Sequence, residues 1–99
     1  MTTFADRLRE DRRLVILRIL SEQNGYTTNS SILHGGLAHL GVVSSRDDVL
    51  TDLHWLRDQS LVKLNTAAVG VEVATLTGRG QDVANGHATV PGVSRPSAK

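Results

Sequence analysis

Cysteine is missing from this 99-residue sequence, the aromatic side chains are one Trp, one Tyr and one Phe, and the two prolines both fall within the last nine residues. Without cysteine there is no disulfide, no thiolate metal site and no cysteine nucleophile, which fits a reducing compartment. Long apolar runs are missing too: no stretch approaches the roughly 18 residues that cross a bilayer. The start Met1-Thr2-Thr3-Phe4-Ala5-Asp6 turns acidic too early for a signal peptide, so the reading is a soluble intracellular protein. Nor is there a strong excess of one charge. A formal net charge of +1 falls short of the basic balance that dominant phosphate contacts produce, and it neither demands nor excludes nucleic acid.

What is there is one domain's worth of helical and extended pattern. Thirty-nine per cent of the residues are hydrophobic, enough for a single modest core. Thr3 followed by Asp6 predicts the start of a first helix that runs to about Gln23 and stops at Asn24-Gly25. At about 100° per residue Ile16, Ile19 and Leu20 form one stripe, widened by Leu8 and Val15, with Leu14 and Leu17 nearly opposite. That is more apolar surface than one small core requires. Either a wrapped hairpin or the tail covers Leu14 and Leu17, or these two residues form a homodimer seam.

Thr28-Asn29-Ser30-Ser31 supplies N-caps for a second helix, with Ile32, Leu33, Leu37 and Leu40 on its buried side. Gly35-Gly36 weakens its middle by about 1 kcal/mol per glycine, unless two backbones approach there. Gly41 ends it, and Ser44-Ser45 opens a third helix after a short turn, the mechanics of a helix-turn-helix. Val49, Leu50, Leu53 and Leu56 form the buried stripe of that third helix. Its opposite side carries Asp47, Thr51, His54 and Asp58, flanked by Asp48 and Trp55. Two basic residues against four acidic ones give the helix a net charge of −2. Three outward acids repel phosphate and make a poor groove reader, whereas a solvated face with acids at a helix N-terminus is the bland alternative. Trp55, off the main stripe, either covers the core's edge beneath the hairpin or anchors a partner protein.

The pattern then turns extended. Leu61 to Leu64 and Val69 to Leu76 bracket a loop, Asn65-Thr66-Ala67-Ala68, as the two strands of a wing whose one basic residue is Lys63. Thr77 caps a last short helix from Gly78 to Asn85, and from residue 87 onward the chain reads as a Pro- and Gly-containing tail, either a disordered end or a strap lying on the body or on a second subunit through Val90 and Val93. The expected fold class is therefore α+β, mainly α. It is a winged helix-turn-helix over residues 1–86, with a three-helix core, a two-stranded wing and a short C-terminal helix, followed by the tail over 87–99.

The segments Arg12-Arg13-Leu14-Val15-Ile16-Leu17-Arg18, Val43-Ser44-Ser45-Arg46-Asp47, Leu53-His54-Trp55-Leu56, Ala74-Thr75-Leu76-Thr77-Gly78-Arg79-Gly80 and Val90-Pro91-Gly92-Val93-Ser94-Arg95-Pro96 together resemble the small winged-helix, ArsR-like proteins of Mu-like phages and prophages. The resemblance implies a phage-encoded protein in a bacterial cytoplasm, with transcriptional control or a place beside DNA packaging and morphogenesis as its role. Metal-sensing ArsR proteins carry cysteine on the recognition helix, and Val49 to Leu56 has none. His34 and His39 stand five apart, so no metal or other cofactor is expected. No nucleophile elbow, phosphate loop or paired zinc motif points to an enzyme.

Two functions remain open. One is a homodimeric regulator on duplex DNA, with Arg46 and Arg57 on phosphates, Thr51 and His54 nearest base edges, and Lys63, Arg79, Arg95 and Lys99 peripheral. The other is a winged-helix interaction module in a phage assembly, presenting Trp55 and the acidic face to a basic partner.

Overall fold

Four local side-chain caps set where the helices begin. The computed structural model describes residues 2–97. The hydroxyl of Thr3 accepts the amide of Asp6 and the Asp6 carboxylate accepts the amide of Thr3, a reciprocal capping box that opens α1 (Phe4–Ser21). Asn29 accepts from the amide of Ile32 and opens α2 (Ser30–His39). Ser45 and Asp48 repeat the capping box for α3 (Arg46–Asp58), and Thr77 accepts from Gly80 to open α4 (Gly78–Ala84). Gly41, at φ 82°, ends α2 in the left-handed conformation that a side chain disfavours. The amide of Val42 reaches back to the carbonyl of Leu37 at 2.8 Å, which closes the turn toward α3. His34 braces that turn from inside, with Nε2 2.9 Å from the carbonyl of Ser44.

The strands are β1 (Thr27–Asn29), β2 (Val62–Ala68) and β3 (Val71–Leu76), joined in one antiparallel sheet of order β1-β3-β2. Two strands were expected. The third is missed because Thr27–Asn29 is polar and only three residues long, and pairs with β3 across more than forty residues of chain. The expected loop Asn65–Ala68 is instead strand: β2 continues through a register irregularity to Ala68, and the reversal falls at Val69-Gly70, with Gly70 at φ 77°. Cross-strand pairs Val62 with Leu76, Leu64 with Ala74 and Thr66 with Glu72 lie on one face by the two-residue alternation of strands. Among the described residues the architecture is thus α+β and mainly helical, with four α-helices and a three-stranded antiparallel sheet.

Leu14, Ile16, Leu17 and Leu20 of α1, Leu33 and Leu37 of α2, and Val49, Leu53 and Leu56 of α3 meet Leu61, Ala74, Leu76 and Val83 in a single core. The homodimer seam expected of Leu14 and Leu17 does not stand: they are 6% and 0% exposed within one chain. The C-terminal segment joins the same core. Of the two readings of that segment, a disordered end and a strap through Val90 and Val93, the second holds: both valines are buried in the core. The segment lies along α1 as a strap, where the amide of Ser94 donates to the carbonyl of Glu10 at 3.2 Å and the Ser94 hydroxyl donates to Asp11. Ile32 and Leu40, expected inside, are exposed instead.

Gly80 marks where α4 meets the start of β2. A Cβ there would stand 2.1 Å from the carbonyl oxygen of Leu61, so only glycine lets the two backbones approach. Gly36 serves the α1 and α2 contact more loosely, its virtual Cβ 3.3 Å from Ile19, and Gly35 faces open space.

Candidate nucleic-acid interface

The side of α3 turned from the core exposes Arg46, Asp47, Thr51, His54, Arg57 and Asp58. At 100° per residue Arg46, Leu50 and Arg57 return to one flank, while Asp47, Thr51, His54 and Asp58 run along the crest. The flank is basic and the crest carries the acids.

Arg46 donates to the Ser31 hydroxyl at 3.2 Å, a neutral partner that leaves its charge uncompensated. Arg57 touches the carboxylate of Asp58 at 3.2 Å, an exposed neighbouring pair of the kind worth a few tenths of a kcal/mol to about 1 kcal/mol. Arg57 and Lys63 line one open groove of about 490 Å³ with Ser60, Val62, Leu64 and Thr77. Ser60 holds the left-handed conformation at φ 62°, and this turns the chain from α3 into β2. Arg79 reaches the same turn from α4, its Nε donating to the carbonyl of Gln59 at 3.1 Å. Lys63 and Arg79 form no ion pair among the described residues. Arg57, Lys63 and Arg79 therefore meet at the turn after α3, while Arg46 stands on the same flank at the other end of the helix, about 16 Å away.

The other expected contacts lie off this flank. Thr51 is exposed on the crest. His54 points toward the sheet, with Nε2 3.7 Å from Glu72 Oε1, and Glu72 in turn accepts from the Thr66 hydroxyl at 3.0 Å. Arg95 is exposed on the strap, apart from the α3 flank in sequence and carried by a different segment. Lys99 lies outside the described residues. The hairpin tip is apolar, with Val69 fully exposed.

Trp55 is not the free anchor that the interaction reading needs. Arg13 lies over its ring with the guanidinium carbon 3.9 Å from the centroid, and the strap closes on its edge at Gly92, where an added Cβ would come within 2.5 Å of the ring. It covers the core's edge as one of the two readings has it, but beneath the strap rather than the hairpin.

The charge that sequence reasoning missed is Asp52. It was counted with the acids of α3, yet it is 0% exposed. Arg12 Nε donates to Asp52 Oδ2, and Arg13 Nε donates to Asp52 Oδ1 at 3.1 Å. Its position on α3, midway between the buried Val49 and Leu56, was the available signal. Asp52 therefore adds nothing to the outward field of the helix, and Arg12 and Arg13 are withdrawn from it as well.

Asp48 sits at the N-terminal end of α3, where the backbone amide of Ser45, then its hydroxyl, hold the carboxyl below its ordinary value of 3.8. Asp6 is lowered in the same way by Thr3 at the start of α1. Both acids belong to capping boxes and are not poised for proton transfer. Among the described residues no three His, Asp or Glu side chains gather as a metal site, and no helix is long and apolar enough to cross a membrane.

Comparison with known proteins gives kinship without an activity. The chain is 50% identical over 91 residues to the protein named "Uncharacterized protein gp26" of Escherichia phage Mu, which covers 92% of this chain and 93% of that one. It is 43% identical over 77 residues to an "Uncharacterized protein" of Haemophilus influenzae, covering 78% of this chain and 74% of the relative. No family model matches, and no solved structure matches. The chain belongs to the family of the phage Mu gp26 protein.

Proposed function

We propose that this is a winged-helix protein of a Mu-like phage or prophage that binds duplex DNA as a homodimer and regulates transcription in the bacterial cytoplasm. One observation carries the reading. The elements run α1-β1-α2-α3-β2-β3 with sheet order β1-β3-β2, so two helices joined by a short turn are followed directly by an antiparallel hairpin, the order in which a winged helix-turn-helix presents its third helix to a groove. The cations on one flank of α3 and on the next turn then meet the phosphates, while Thr51 is the side chain nearest base edges. Phosphate contacts position a protein and carry little sequence information, so this surface suits binding of broad sequence tolerance with indirect readout.

The test is fluorescence anisotropy with a labelled duplex of mixed sequence at low salt. The combined variant Arg46→Ala, Lys63→Ala, Arg79→Ala is expected to lose about tenfold or more in affinity. No binding by the unaltered chain overturns the reading.

A second reading rests on the crest of α3 and the hairpin tip. Asp47 and Asp58 are exposed and the tip is apolar, a surface suited to a basic protein partner in phage packaging or morphogenesis. The covered ring of Trp55 leaves the acids as its contacts.

A further inference from the structure

We infer that the outward face of α1 is a self-complementary seam for a second, antiparallel copy of this chain. Phe4, Leu8, Asp11, Val15, Arg18 and Glu22 recur at alternating steps of four and three, and at 100° per residue they lie opposite the buried residues of α1. Such spacing keeps one line of a helix facing a partner helix over its whole length. Val15 is half-buried against the core and Asp11 accepts from the Ser94 hydroxyl, while the N-terminal end of the line is open among the described residues. Phe4 is 75% and Leu8 52% exposed, and Leu40 beside it on α2 is 59% exposed.

Charge selects the occupant and its direction. Two copies of α1 laid antiparallel about an axis passing between Leu14 and Val15 set Asp11 of each beside Arg18 of the other, and Arg7 beside Glu22. A twofold axis makes each pair occur twice. A parallel arrangement would instead oppose Asp11 to Asp11 and Arg18 to Arg18, which is repulsive. Arg7, Arg18 and Glu22 form no ion pair among the described residues, so their charges are available. In the antiparallel register Val15 meets near the axis. Leu8 comes opposite Ser21 of the other copy, beside a hollow of about 200 Å³ lined by Ile19, Gly36 and Leu40. The seam thus replaces the one withdrawn at Leu14 and Leu17, on the other side of the same helix.

This deepens the homodimer part of the proposed function and rests on it. Its test uses no DNA, so failure of pairing and failure of DNA binding are read separately. Sedimentation equilibrium of the full chain across micromolar to millimolar concentration is expected to show a monomer–dimer equilibrium. Leu8→Glu, on an exposed side chain, is expected to give a monomer with an unchanged circular dichroism spectrum. Arg7→Glu and Glu22→Arg are each expected to weaken the dimer by about tenfold, and the double variant to recover wild-type dimerisation. An unaltered chain that remains monomeric throughout, a dimer indifferent to Leu8→Glu, or a double variant no better than the singles would overturn the inference.

Discussion

Arg13 lies over the ring of Trp55 and at the same time donates to Asp52 at 3.1 Å and to the carbonyl of Gly92 at 3.0 Å. One side chain of α1 thereby holds a carboxylate of α3, an aromatic ring one turn further along α3, and the backbone of the C-terminal strap. A charge taken out of water is stabilised only if its partners satisfy it. Here the two arginines share the carboxylate, and Arg13 spends a further donor on the strap. The order of the strap and the closure of the core are consequently linked through Asp52.

Asp52→Ala leaves two largely covered guanidinium groups facing an apolar gap. Removing one member of a buried ion cluster costs about 3–5 kcal/mol, a large share of the roughly 5–15 kcal/mol that holds a domain of this size. Urea unfolding followed by circular dichroism is expected to show that loss. A change below about 1 kcal/mol would mean that the cluster contributes little.

Gly92 stands at φ 101° against the Trp55 ring. Gly92→Ala adds a methyl where the ring already is, in a conformation that alanine resists, so the strap must lift. About 1–3 kcal/mol of destabilisation is expected. Trp55 is the sole tryptophan, so its emission reports directly and is expected to shift to the red.

Two glycine positions should answer in opposite directions. Gly35→Ala, in mid-helix with open space around it, is expected to raise stability by about 0.5–1 kcal/mol. Gly80→Ala drives a methyl into the carbonyl of Leu61 and is expected to prevent native folding at that junction. Thermal melts of the two variants check both outcomes.

Asp6 and Asp48 are held below 3.8 chiefly by the amides of Thr3 and Ser45. A carboxyl whose pKa is depressed on folding contributes stability above its unfolded value, and that contribution disappears as pH falls through the folded value. Asp48→Asn is therefore expected to lower the urea midpoint at neutral pH and to converge with the unaltered chain well below pH 3.8. An equal difference at both extremes would show that the capping box acts without the charge.

If DNA lies along α3, the crest acids oppose it. Asp47→Asn and Asp58→Asn are then expected to raise duplex affinity severalfold at low salt by removing repulsion from phosphate. If a basic protein is the partner, the same changes leave DNA binding absent.

Legibility followed the range of the interactions. Thr3, Asn29, Ser45 and Thr77 were readable as caps because each bond closes within three residues. The core leucines of α3 and the glycine stop at Gly41 were readable from period and position. Thr27–Asn29 was not, because its strand character comes from β3 and not from its own side chains. Asp52 carried no local sign of its partners, which lie about forty residues away on α1. The sequence left the C-terminal segment open between a free end and a strap held by Val90 and Val93, and the strap is decided by Gly92 and Ser94, which dock it through hydrogen bonds to α1. On α1 the stripe of Ile16 and Leu20 was legible and is buried, Leu14 and Leu17 are buried with it, and Leu8, expected to widen that stripe, is exposed instead. The basic flank of α3 was legible as single residues, whereas its continuation to Lys63 and Arg79 depended on the fold.

The salt dependence of duplex binding tests the central claim most directly. Affinity measured by anisotropy over a series of monovalent salt concentrations is expected to fall linearly on logarithmic axes, with a slope of about −0.9 for each phosphate neutralised. Replacing Arg46, Lys63 and Arg79 by alanine is expected to flatten it by roughly three such steps. Binding that is undetectable at low salt, or a slope that the three replacements leave unchanged, would contradict the assignment of this surface to DNA.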